Sequence, residues 1–240
     1  MFERVTGIKL IMELFLMYQT VKSFQHHTFQ DIHHPNAKLG CFGDFDNIPP
    51  KQRKHDGRLT DIVVHDGRYV SIYEQNKRGS LLKHSNVIDA GDANSIKDII
   101  CSCDFNNPYD YNPDLVIVKQ NSVEIWQKNG EQSMGFTKHE ISGIDPQGKP
   151  ILILDSNGDY KLDIFGWNGN IFGIWEQTGN FVFQFKEMIE HDILPETVSF
   201  IDMNQNCRPD LVYMASDKTI KFIDSDSIPS TPYKTFDISA

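Results

Sequence analysis

The chain has 240 residues, 39% of them hydrophobic and 11% aromatic, which is enough to bury the core of one or two domains. Its 33 acidic and 23 basic residues leave a formal charge of -10. A surface of that sign repels phosphate backbones and anionic headgroups, so nucleic acid and bare membrane are set aside as partners.

Residues 1–23 read as a signal peptide: Arg4 and Lys9 precede a mostly apolar run from Leu10 to Tyr18, with small residues Val21 and Ser23 at cleavage spacing. Glu13 interrupts that run, so an N-terminal helix is the competing reading. Neither this run nor any later window reaches the roughly 20 apolar residues of a spanning helix, and no direct membrane insertion is expected. Residues 24–36 form a polar linker, and its histidines, His26, His27, His33 and His34, are read as solvated.

From residue 37 to 240 one pattern recurs four times, at the spacing of propeller blades. Each copy opens with an apolar strand, an Asp/Asn-rich turn and a second strand that begins with Asp: Cys41–Val64, Cys101–Val118, Ile151–Phe165 and Phe200–Tyr213. A further strand follows, at Tyr69–Gln75, Ser122–Gln127, Asn170–Gln177 and Thr219–Asp224. Short Val/Ile/Phe/Tyr/Trp-rich segments bounded by Gly, Asn, Asp and Pro are strands joined by tight turns. The expected fold is all-β, a partial or small propeller of about four blades. One blade cannot bury both of its faces, so neighbours must stack, and an incomplete ring would self-associate.

Numbered from its first Asp, the third turn places Asp155, Asn157, Asp159 and Asp163 at positions 1, 3, 5 and 9, and the fourth places Asp202, Asn204, Asn206 and Asp210 there. Alternate oxygens in a tight turn converge on one point, which suits Ca²⁺ with its six to eight oxygen ligands at about 2.3–2.6 Å. Position 7, Lys161 or Arg208, would give its backbone carbonyl, which is indifferent to side-chain type. The competing reading is that Asp and Asn merely favour turns. An EF-hand is excluded because position 12 is Gly166 or Tyr213 in place of Glu.

Copy two keeps Asp104, Asn106, Asp110 and Asp114, with extra residues around Asn107 and Pro108 that must bulge. Copy one keeps Asp44, Asp46 and Asp61, with Asp56 as a further candidate, around a long insertion that holds the basic stretch Lys51–His55. Cys41, Cys101, Cys103 and Cys207 permit disulfides in an oxidising compartment, and spacing does not choose among the pairings.

These turns, GDFDN…DGRLTDIVV and LDSNGDYKLDIFG, resemble FG-GAP repeats of the integrin-α type, in which a calcium loop joins the first two strands of each blade. With LGCFGDFDN, PILILDSNGDYKLDIFG and SFIDMNQNCRPDLVYM, residues 37–240 are similar to the N-terminal half of the T-cell immunomodulatory protein family. The resemblance implies a secreted protein, or one on the extracellular face of a membrane, that recognises another protein. It brings no catalytic residues. The runner-up is a non-catalytic structural half of a larger propeller; a propeller enzyme ranks below it, because calcium ligands must stay ionised and the chain has no nucleophile elbow, Cys/His pair in motif context or phosphate loop.

Overall fold

The computed structural model describes residues 36–43, 45, 60–75, 81–106, 112–130, 135–189, 193–224 and 234–237. The expected signal peptide, nearly all of the linker, the Lys51–His55 stretch and the candidate ligands Asp44, Asp46, Asp56 and Asp110 lie outside those residues.

The described strands form four antiparallel sheets, each a four-stranded meander in chain order. Sheet one is β1 (Lys38–Gly43), β2 (Asp61–His65), β3 (Tyr69–Gln75) and β4 (Leu81–Asp89). Sheet two is β5 (Ile96–Cys103), β6 (Asp114–Lys119), β7 (Val123–Lys128) and β8 (Phe136–Glu140). Sheet three is β9 (Leu152–Leu154), β10 (Asp163–Asn168), β11 (Ile171–Gly179) and β12 (Val182–Ile189), and sheet four is β13 (Ser199–Ile201), β14 (Asp210–Met214), β15 (Thr219–Ile223) and β16 (Lys234–Asp237). The described residues contain no α-helix, only a single 3₁₀ turn at Pro195–Thr197.

Strand alternation sends successive side chains to opposite faces, and here both faces of the inner sheets are buried. Leu115 and Ile117 of β6 join Val63, Val70 and Ile72 of sheet one in one cluster, while Val116 and Val118 join Ile164 and Trp175 of sheet three in another. Phe165 and Trp167 of β10 then meet Leu211 and Tyr213 of β14. The sheets therefore stack one, two, three, four, with β6 and β10, the second strands of the inner sheets, each serving two interfaces. Burying each such side chain contributes about 1.5–3 kcal/mol. The described residues contain no buried cluster that joins sheet four to sheet one.

Within sheet three, Gly166 and Gly173 are paired across β10 and β11. A Cβ at either would run into Ile151 or the Phe185 ring, both packed on the second cluster. Two adjacent glycines thus make the hollow that those side chains fill.

The links between sheets are tied to the far ends of second strands or the turns that follow them. Ile96 donates its amide to the Gly67 carbonyl at 3.0 Å, Asp145 donates to the Trp167 carbonyl at 2.8 Å, and Leu194 donates to the Met214 carbonyl at 2.9 Å. At the other end lie the Asp-rich turns. A disulfide between Cys41 on β1 and Cys101 on β5, with Cα atoms 5.6 Å apart, joins the first strands of sheets one and two.

Candidate metal loops between the first and second strands

All four copies share one register. The last residue of the first strand stands opposite the Asp that opens the second: Gly43 opposite Asp61, Cys103 opposite Asp114, Leu154 opposite Asp163 and Ile201 opposite Asp210. Copies one and two, whose turns are longer, carry bulges in the first strand, between Leu39 and Cys41 and between Ile100 and Cys103, so the shared register is that of the closing pair. A one-residue slip would reverse every side chain on those strands.

The Asp that opens each second strand, position 9 in copies three and four, is buried with no more than 1% exposure, and each closes its loop by the same bond. Its Oδ2 accepts the amide of position 2: Phe45 at 2.7 Å, Phe105 at 3.0 Å, Ser156 at 3.0 Å and Met203 at 2.9 Å. In copies two and three Oδ1 also accepts an amide from the third strand, Lys128 at 3.0 Å and Gln177 at 2.8 Å. One carboxylate therefore fastens loop, second strand and third strand together. Burial pushes the Asp163 carboxyl up from its ordinary value, and bonds from Ser156 and Gln177 offset only part of that. The Ser156 hydroxyl, which the motif does not predict, also donates to Asp163 Oδ2.

Loops three and four follow the same path. Position 1 accepts amides with both oxygens: Asp155 from Gly158 at 2.7 Å and Tyr160 at 2.8 Å, and Asp202 from Asn206 at 3.1 Å and Cys207 at 2.9 Å. Position 3 accepts from position 5, Asp159 to Asn157 at 2.8 Å and Asn206 to Asn204 at 3.0 Å. Position 5 accepts from position 7, Lys161 to Asp159 at 3.0 Å and Arg208 to Asn206 at 2.8 Å. Positions 4 and 6 are left-handed in both, Gly158 and Tyr160 at φ 79° and 63°, Gln205 and Cys207 at φ 62° and 64°. Three of these four are not glycine, a conformation that non-glycine residues seldom adopt.

The donor set of loop three fits a hard cation, since an oxygen acceptor carries two lone pairs. Asn157 Oδ1 and Asp163 Oδ1 each accept one amide, and Asp155 Oδ2 likewise accepts one, so each keeps a lone pair for a metal. A local cation already uses Asp159: Lys161 Nζ lies 2.5 Å from its Oδ2. Burial raises the Asp159 carboxyl, but the bonds and charge of Lys161 outweigh it and hold the group below its usual value. Among the described residues no three His, Cys, Asp or Glu side chains are gathered as a ready metal cluster.

In loop two, Asp104 Oδ1 accepts the Asn106 amide at 3.1 Å. Asn106 is buried, its Oδ1 accepts Gln127 Nε2 at 2.8 Å, and its Nδ2 has no partner among the described residues. Gln127 Oε1 in turn lies 3.0 Å from His139 Nε2, and the His139 ring stacks on Phe181 with centroids 3.8 Å apart. Asn106 is thus tied to the third strand of its own sheet, and His139 carries the contact to sheet three. Gln177 reinforces this contact by donating Nε2 to the Phe105 carbonyl at 2.8 Å.

The disulfide was open in the sequence, but a signal for it was present. Cys41 and Cys101 both stand three residues before the first Asp of their loops, so repeat alignment brings them side by side. Cys207 is a free, exposed thiol. No helix among the described residues is long and apolar enough to cross a membrane. Compared with known proteins, the chain matches no family model and no curated protein.

Proposed function

We propose that the four sheets are blades of an FG-GAP-type propeller, that loops three and four hold Ca²⁺, and that the chain is an extracellular recognition protein and not an enzyme. The observation that carries this reading is the shared frame of loops three and four: the same amide bonds from position 6 to position 1, position 5 to position 3, position 7 to position 5 and position 2 to position 9, and the same left-handed conformation at positions 4 and 6. Two turns of different sequence, DSNGDYKLD and DMNQNCRPD, take one path in which the side-chain oxygens of positions 1, 3 and 5 accept the loop's own amides. In such loops Asp155, Asn157, Asp159 and Asp163 would hold the ion, with the Lys161 carbonyl. The ion would supply fixed positive charge to join carboxylates that otherwise repel one another.

The disulfide between Cys41 and Cys101 supports an oxidising compartment. A non-catalytic role is supported because the buried Asp114 and Asp163 carboxylates are spent on backbone amides that hold the fold. A rigid stack of sheets with loops at its ends is a common frame for binding other proteins.

Calorimetric titration with Ca²⁺ tests the reading. Binding is expected in the wild type, and Asp155→Asn should weaken it by roughly tenfold or more, because ligand charge sets affinity. Lys161→Gln should strengthen it by removing the ammonium that competes for Asp159. The absence of calcium binding by the wild-type chain would contradict the proposal.

A further inference from the structure

Loops two and three are joined by one buried chain of hydrogen bonds. Asp163 Oδ1 accepts the Gln177 amide at 2.8 Å, Gln177 Nε2 donates to the Phe105 carbonyl at 2.8 Å, and the Phe105 amide donates to Asp114 Oδ2 at 3.0 Å. Asp114 Oδ1 in turn accepts the Lys128 amide at 3.0 Å, which fastens loop two to its own third strand. Each of these five residues is at most 2% exposed. The two aspartates are the closing residues of their loops. The chain of bonds therefore runs from one closure to the other, and it crosses between sheets at Gln177.

The crossing is not an incidental contact. Gln177 Oε1 is buried and has no hydrogen-bond partner among the described residues, a cost that an apolar side chain would avoid. What the glutamine supplies is its Nε2 donor, which serves the buried Phe105 carbonyl. A flipped amide would set Oε1 against that carbonyl oxygen, so one orientation is favoured. Loop two also leans on sheet three through side chains. The Phe105 ring lies in the cluster shared by the two sheets and meets Phe183 of β12 edge to face, with centroids 6.1 Å apart. By contrast Met203, which holds the same place in loop four, is 46% exposed.

We infer that loops two and three open and close as one unit, with Gln177 as the positioning residue that couples them. Whatever orders loop three, the proposed ion included, then orders loop two, and by reciprocity an event at loop two is felt at loop three. The inference concerns the loops of the calcium reading but does not depend on the ion.

Amide hydrogen exchange by NMR in excess chelator tests it, through the amides of Phe105 and residue 156, which close the two loops. Ser156→Ala removes the hydroxyl that also holds Asp163 and so loosens loop three. Residues that open in one unit share one opening equilibrium. Protection at Phe105 should therefore fall by the same factor as at residue 156, roughly tenfold for a bond to a charged group. The Met203 amide, outside this chain of bonds, should not respond. Gln177→Met keeps the side-chain length and the backbone bond to Asp163 but removes the donor. In that background Ser156→Ala should lower protection at residue 156 and leave Phe105 unchanged. Gln177→Leu gives the same reading should the methionine variant not fold. A Phe105 rate that ignores Ser156→Ala, or one that still follows it without Gln177, would overturn the inference. An equal response at Met203 would be a general loosening and would overturn it as well. Because calcium is kept out throughout, failure here is distinct from failure of the proposed ion binding.

Discussion

Asp163 shows how one residue type serves two ends. Its carboxylate is fully buried and fastens Ser156 and Gln177, and it retains a lone pair for an ion. Asp163→Asn keeps an acceptor but places an amide N–H where Ser156 also donates. Leaving buried groups mispaired costs about 1–3 kcal/mol, so urea unfolding in chelator should show a loss of that size. A negligible loss would mean that the bond to position 2 is dispensable.

His139 gives a pH dependence of known sign. Burial lowers its pKa below 6.5, so the folded protein holds it neutral against Phe181 while the unfolded chain protonates it. Its contribution is complete above pH 6.5 and is lost as pH falls towards the folded value. His65 is also lowered, by burial and then by Lys38, and adds in the same direction. Stability should therefore fall as the pH drops below about 6.5 in denaturant titrations, and His139→Phe should flatten part of that slope. An unchanged slope in the variant would place the effect elsewhere.

At the scale of elements, the first three strands of each copy were legible because their residues are β-branched or aromatic and their turns are rich in Asp, Asn and Gly. The third strand Tyr69–Gln75 matches the expected span, and the others differ by a residue or two. The fourth strands were not legible as such. Phe136–Glu140, FTKHE, has a single apolar residue and lies at a sheet edge with mostly exposed side chains, so no hydrophobic period marks it. In the loops, the ligand spacing of copies three and four was readable, but the committed role of Asn106 was not. That role depends on Gln127 and His139 from other strands. The position-9 Asp was readable as an oxygen donor, whereas its structural duty appears only once position 2 is folded back upon it.

The disulfide acts between elements. It closes a sequence separation of 60 residues across sheets one and two, and restricting the unfolded chain over such a loop is worth about 4 kcal/mol in the chain-entropy account. The double variant Cys41→Ser and Cys101→Ser should lose about 2–5 kcal/mol of stability while keeping its β-sheet spectrum, because the shared cluster of Val63, Ile72, Leu115 and Ile117 still joins the two sheets. A loss well below 1 kcal/mol would show that the link does not restrain folding.

For the whole molecule, four sheets stacked through shared clusters place the Asp-rich turns at one end and the inter-sheet links at the other. Calcium in those turns would stabilise only the folded chain, because the ligands converge only when loop and second strand are in register. Thermal unfolding with saturating Ca²⁺ against excess chelator is therefore the most direct measurement. A site filled at about 100 times its dissociation constant adds about 2.7 kcal/mol, which for a chain of this size raises the midpoint by roughly 5–10 °C. That rise is the predicted result, and identical midpoints with and without calcium would contradict the account.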